Sequence, residues 1–255
     1  MSVSRCRFAG GAFALMLLFA VTQTAYAQSA WVATPHSLTV DLAYQYVPSS
    51  AVVISPDLSV PDRDTRNHIV TLSADYVPIP KLALEFSLPM ASVRYAGKFP
   101  HSPPGKWDDG NYHTALTDFR VGARYQVLDE PYLAISPHIA FSVPVMNYEV
   151  IGFATGGRHL KQAHFGASLG RTFAPYVPNL FITGSYEFTI AESYKANADT
   201  EKIGQSRSDL AFTLGYVFLD GKLNVNVGGN WRIAHGGVNF TDFANATLVP
   251  ADVQL

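Results

Sequence analysis

The chain has 255 residues, of which 15% are charged and 48% hydrophobic, with a formal net charge of -2 and one cysteine, Cys6. The charged share lies well below the ~25% of soluble domains, and a near-neutral chain without a basic patch excludes a nucleic-acid partner. A single cysteine excludes a disulfide framework and a Cys-based metal site.

The N-terminus reads as a secretory signal. Arg5 and Arg7 form a basic flank, residues 12–21 an apolar run, and Ala25-Tyr26-Ala27 a cleavage site before Gln28. About 10 apolar residues fall short of the roughly 20 needed to cross a bilayer as a helix. Cys6 precedes the apolar run, so it is not a lipid-modified start and leaves with the leader. Residues 1–27 are therefore the signal peptide and 28–255 one domain.

From residue 38 onward, apolar and polar side chains alternate in nine segments: 38–47, 68–77, 81–90, 116–127, 132–143, 162–173, 180–190, 208–218 and 222–234. In the first, Leu38, Val40, Leu42, Tyr44 and Tyr46 share one face and Thr39, Asp41, Ala43 and Gln45 the other. Period-two alternation is the mark of a strand with two unlike faces. Length separates a membrane strand from a soluble one: soluble strands run about 5–6 residues, tilted spanning strands roughly 9–11. The apolar face keeps large aliphatic and aromatic residues throughout. Tyr44, Tyr46, Tyr76, Tyr125, Tyr186, Tyr216 and Trp231 near its ends match interfacial aromatic girdles. The expected fold is an all-β, antiparallel, up-and-down transmembrane β-barrel in a Gram-negative-type outer membrane, with outer-membrane lipid around it.

Short connections at 77–80, 128–131, 174–178 and 219–221 alternate with long ones at 48–67, 96–113, 144–161 and 191–207. Short turns belong on the periplasmic side and long loops outside. Nine strands cannot close a bacterial barrel, which takes an even number. The tail after residue 235 lacks sustained alternation, so the closing strand is missing or weak there. The alternatives are a poorly pairing tail or a contribution from 29–37; the favoured reading is a complete form of about 10–12 strands.

The polar face carries Asp41, Asp75, Glu85, Asp118, Arg120, Arg124, His138, His164, Glu187 and Arg232. A basic residue at mid-depth on the lipid face costs about 2–4 kcal/mol, so these groups point into the lumen. There they either cross-pair and fill a narrow barrel or line a constriction that selects solutes. Ser142 and His164, inward on adjacent strands at similar height, permit a Ser–His contact, and Ser142 or Ser168 with His138 or His164 are the parts a lipid-modifying enzyme would use. No fixed-spacing motif backs a nucleophile and its base, so the expectation is a non-enzyme without cofactor or metal. Asp57, Asp62 and Asp64 read as a solvated loop rather than a calcium site, and Trp107 to Tyr112 as a plain turn.

The stretch 116–128 (LTDFRVGARYQVL), followed by a short turn and PYLAISPHIAFSVPV, resembles the outer-membrane family of phenol-degradation meta-pathway transporter-like proteins. More distantly it resembles the outer-membrane fatty-acid and toluene transporters. Asp118, Arg120, Gly122, Arg124 and Tyr125 carry the likeness, with Gly156-Gly157-Arg158 leading into His164-Phe165-Gly166. The resemblance implies an outer-membrane channel admitting aromatic or other hydrophobic small molecules, and brings no site residues with it. The leading expectation is thus passive uptake of small solutes. A non-conducting structural or adhesion barrel is the alternative, and a lipid-modifying enzyme the second.

Overall fold

The computed structural model describes residues 30–55, 58–97, 105–130, 132–148, 150, 152–194, 203–219 and 223–235. The leader and the tail after 235 lie outside the described residues, and so does Asp57. The described chain is all-β, with no α-helix. Eleven strands make one antiparallel sheet: β1 (Leu38–Ser55), β2 (Leu58–Ile79), β3 (Leu82–Tyr95), β4 (His113–Leu116), β5 (Asp118–Tyr125), β6 (Leu128–Glu130), β7 (Leu133–Pro144), β8 (Gln162–Thr172), β9 (Leu180–Tyr194), β10 (Ile203–Phe218) and β11 (Leu223–His235). Each long strand pairs with its neighbours in the chain, in the order β1-β2-β3-β5-β7-β8-β9-β10-β11. Among the described residues no ladder joins β1 to β11, so the sheet is a curled half-barrel with two open edges.

The nine expected segments are the nine strands of that path. The fourth is broken at Thr117, whose N–H donates to Pro89 O (2.9 Å). Several boundaries differ: β3 runs on to Tyr95, and β9, reaching Tyr194, and β10, starting at Ile203, take both ends of the connection expected at 191–207. The connection 48–67, expected as an outer loop, is instead a hairpin arm: β1 and β2 stay paired through Val52↔Val60 to Ser55↔Leu58. Its Ser, Pro and Asp residues look like loop, yet Val52, Val53 and Val60 favour extended backbone. Two register shifts let the ladder pass the irregular positions. Residues 128–130, expected as a turn, form β6, which pairs with β7.

The alternation is reproduced in inverted form relative to a soluble protein. Leu42 is 74% and Val227 67% exposed on the convex face, while Ser168 is 0% and His164 2% exposed on the concave face. The curl is strong. Arg120 on β5 bonds Glu187 on β9, three ladders away, a separation of about 14 Å across a flat sheet at 4.8 Å per ladder.

At the long-loop end of β3 the polarity of the two faces exchanges. Below Met90 the concave side carries Glu85 and Ser87; beyond it the same side carries Ala91, Val93 and Tyr95, all buried. Ala154, Phe153 and Trp107 from the loops pack on them, with Tyr95 and Phe153 stacked at 4.8 Å.

Candidate functional site

The short-turn end of the concave face is occupied by the segment before β1. Residues 30–35 do not extend the sheet but turn inward. Ser136 Oγ donates to Ala30 O (2.5 Å), and Val32 N–H donates to Gln126 Oε1 (2.8 Å). The Trp31 ring fills the space that Gly170 leaves; a Cβ there would meet the indole at 2.5 Å. Phe181 meets Trp31 edge-on at 6.4 Å, and Gly215 makes room for Phe181 in the same way. The expected alternative that 29–37 contributes to closing the sheet finds no support in the described part of that segment. Composition held no sign of this arrangement, because a single Trp opposite a Gly is a relation between distant strands.

Above it lies a ladder of charges. Asp75 and Glu85 are cross-strand partners, as are Glu187 and Asp209. Like charges directly opposite repel; here one arginine bridges the first pair, and separate arginines neutralise the two members of the second. Arg124, buried, reaches Asp75 and Glu85 at 2.8 Å each. Arg120 grips Glu187 through both nitrogens, at 3.1 and 2.6 Å. Arg207 and Arg232 donate to the two oxygens of Asp209, at 2.8 and 2.6 Å. Arg207 also donates to Gln162 Oε1 (2.8 Å). Bidentate geometry and burial raise such pairs above ordinary surface ion pairs.

Glu187 is the hub. His138 Nε2 lies 3.2 Å from its Oε2, and His164 Nδ1 lies 2.9 Å from its Oε1. His164 Nδ1 also lies 3.0 Å from Thr189 Oγ1, and its Nε2 is 2.9 Å from Ser142 Oγ. A carboxylate accepts, so the Nδ1 edge carries the proton and Nε2 is left to accept from the Ser142 hydroxyl. Ser142 and His164 are diagonal neighbours, since Ala140 pairs His164 and Ser142 pairs Gln162. Ser168 lies deeper, opposite Ser136 and Ser185, and its hydroxyl has no partner among the described residues.

Of the ten expected site residues, Asp75, Glu85, Arg120, Arg124, His138, His164 and Glu187 come together in this ladder. Asp118 stands higher and accepts a short hydrogen bond from the Tyr148 hydroxyl, which itself accepts from His159 N–H (2.7 Å). Burial, then that contact with Asp118, pushes the Tyr148 phenol above its ordinary value. Arg232 joins through Asp209. Asp41 is exposed on β1 opposite Ser73, and no ion pair among the described residues includes it.

The long-loop rim is more ordered than a plain turn. Asp108 is buried and accepts backbone N–H groups of Gly105 (3.1 Å), Phe153 (3.0 Å) and Ala154 (2.8 Å), tying one loop to the next. Asp64 accepts from Arg66 (3.2 Å), and no metal-holding cluster occurs among the described residues. Asp109, at the exposed rim, accepts from His113 Nε2 (2.8 Å) and from Asn111 N–H (2.9 Å). The His113 contact first, then Asn111, lowers its carboxyl to about 2. A depressed carboxyl favours the folded turn above its ordinary value and loses that contribution as pH falls through the folded one. Trp107, stacked on His113 at 5.1 Å, reports this. In a Trp31→Phe/Trp231→Phe background its fluorescence should change between about pH 4 and about pH 2, and Asp109→Asn should abolish that transition. A transition in that range that survives Asp109→Asn would refute control by Asp109.

No family model matches this sequence, and no curated protein matches it.

Proposed function

We propose that the chain forms most of a β-barrel in an outer membrane and that the barrel passes small solutes, aromatic or hydrophobic compounds among them. The observation that carries this reading is the inverted polarity of the sheet. Soluble monomers rarely bare an apolar patch above about 300–600 Å², whereas here Leu38, Val40, Leu42, Phe141, Leu210, Val227, Trp231 and Ile233 all lie exposed on the convex face. Lipid is the solvent that fits such a face, and water or solute the content that fits the other. Tyr44, Tyr46, Tyr112 and His68 cluster at one end of the convex face, with Tyr44 Oη 2.7 Å from His68 Nδ1, which suits an interfacial belt. The ladder Arg124–Asp75–Glu85 and Arg120–Glu187 is then the constriction. Planar-bilayer recordings of the refolded full chain should show discrete conductance steps, and a folded preparation that never conducts would overturn the reading.

A second reading, a non-conducting structural or adhesion barrel, is favoured by the covered ends and the cross-paired charges. The two meet in one experiment. If solutes pass, residues 30–35 are an inner stopper, and Trp31→Ala should raise conductance several-fold while leaving the sheet intact. Gly170→Leu, which removes the space for the indole, should do the same. Conductance that is absent in all three proteins supports the sealed barrel.

A further inference from the structure

We propose that Ser142, His164 and Glu187 form an acyl-transfer site on the concave face that hydrolyses carboxylic esters. Three observations carry it. The contacts run in the order hydroxyl, imidazole, carboxylate: Ser142 Oγ to His164 Nε2 at 2.9 Å, and His164 Nδ1 to Glu187 Oε1 at 2.9 Å. This is the hydrogen-bond order that makes a serine nucleophilic, and it recurs on unrelated folds because it depends on geometry and not on topology. Glu187 is held by Arg120 through two nitrogens and lies against His138, so the imidazole faces a carboxylate of fixed orientation. Finally, Gln162, the register neighbour of Ser142 on β8, stands on the same face, while Arg120, its neighbour on β5, is committed to Glu187. The Gln162 carbonyl is taken by Arg207, which leaves its amide nitrogen to donate toward an oxyanion.

The reaction follows from these roles. Ser142 Oγ attacks the ester carbonyl carbon while His164 Nε2 takes the hydroxyl proton. The tetrahedral intermediate collapses with rupture of the C–O bond, and His164 returns the proton to the departing alcohol. Water then attacks the acyl-serine with His164 again as base, and the acid leaves with Ser142 restored. Ester and water become acid and alcohol, with no other reactant. Ser142 and His164 are the catalytic residues, and Glu187 is a positioning residue. Ser142 lies two residues inside the long-loop end of β7, so the ester enters from that mouth.

The refolded full chain is treated with a fluorophosphonate fluorophore, which loses fluoride as the serine oxygen bonds phosphorus, and its turnover of p-nitrophenyl acetate, p-nitrophenyl decanoate and phospholipid vesicles is followed. Label is expected on Ser142 by mass spectrometry. S142A and H164A should lose it, with turnover at least about 100-fold lower, and S168A should keep both. E187Q should lower kcat per folded molecule, with the folded fraction taken from heat-dependent gel migration, by about 100-fold or more with KM unchanged, with partial recovery in E187D. Turnover of the soluble esters alone identifies a small solute ester as substrate, and turnover of vesicles a membrane lipid. Heat-dependent gel migration reports folding of every variant; if S142A does not fold, the labelled residue in the natural protein decides. No label on the folded protein, or label at another residue, overturns the proposal. It stands apart from transport: conductance without label removes the esterase alone, and label without conductance removes the channel alone.

Discussion

Glu187→Leu is expected to destabilise the folded protein by about 3–5 kcal/mol, as removal of one partner from a buried ion pair does elsewhere. The loss does not come chiefly from the attraction removed. It comes from the Arg120 guanidinium, left on a concave face with no carboxylate to meet its two nitrogens, and from His138 and His164, which lose the oxygens they now approach at 3.2 and 2.9 Å. Urea titration of the refolded protein, followed by tryptophan emission, reads the effect. The double variant Arg120→Met/Glu187→Leu is the sharper test, because removing both charges avoids the stranded cation; it should recover more than half of the loss. Equal destabilisation in single and double variants would mean that the pair acts through packing. Asp209 should behave less severely, since of its two partners Arg232 is 44% exposed and screened by water and Arg207 keeps Gln162 as a second acceptor.

Gly166→Ala should be as damaging for a different reason. A Cβ at this position would lie 2.1 Å from the Tyr186 carbonyl oxygen and 2.5 Å from His138 Nε2. The first contact is with backbone of the neighbouring strand, which cannot yield without opening the β8–β9 ladder. The second is with a ring whose place against Glu187 depends on the absent side chain. Overpacking of a tight interior commonly costs 1–3 kcal/mol and occasionally more, and a backbone clash belongs at or beyond the top of that range, about 3 kcal/mol. The folded band in heat-dependent gel migration should be weak or missing. Gly184→Ala is the control on the adjoining strand, where the nearest atom to an added Cβ is 3.8 Å away; it should leave stability unchanged. Equal behaviour of the two would remove the steric account.

What could be read from the residues alone divides along physical lines. The two faces of every long strand were legible, because two different surroundings act on alternate residues and leave a period-two trace. The inward position of Arg120, Arg124, His138, His164 and Glu187 followed from the same trace. The Ser142–His164 contact was within reach as well, by counting heights from the short turns. Glu187 as the third member was not, since it depends on the register of β9 and on the carboxylate reaching back along β8. The extension of β1 and β2 was hidden because its Ser, Pro and Asp residues resemble loop while only Val52, Val53 and Val60 argue for strand. Trp31 and Asp108 left no trace either. Their roles rest on a missing Cβ at Gly170 and on backbone N–H groups of Phe153 and Ala154, which no side-chain pattern announces.

The strictly sequential order of the strands has a kinetic consequence. Every long ladder joins elements adjacent along the chain, so no pairing requires a distant segment to be found before a near one is made. Loop closure between neighbours carries a smaller entropic penalty than closure across the whole chain, and proteins rich in local contacts fold faster than those built on remote ones. Such a meander can grow hairpin by hairpin, each new strand templated by the exposed backbone of the last. The only pairing outside this scheme would be one that brings β1 back to the far edge, and that step would come last and slowest.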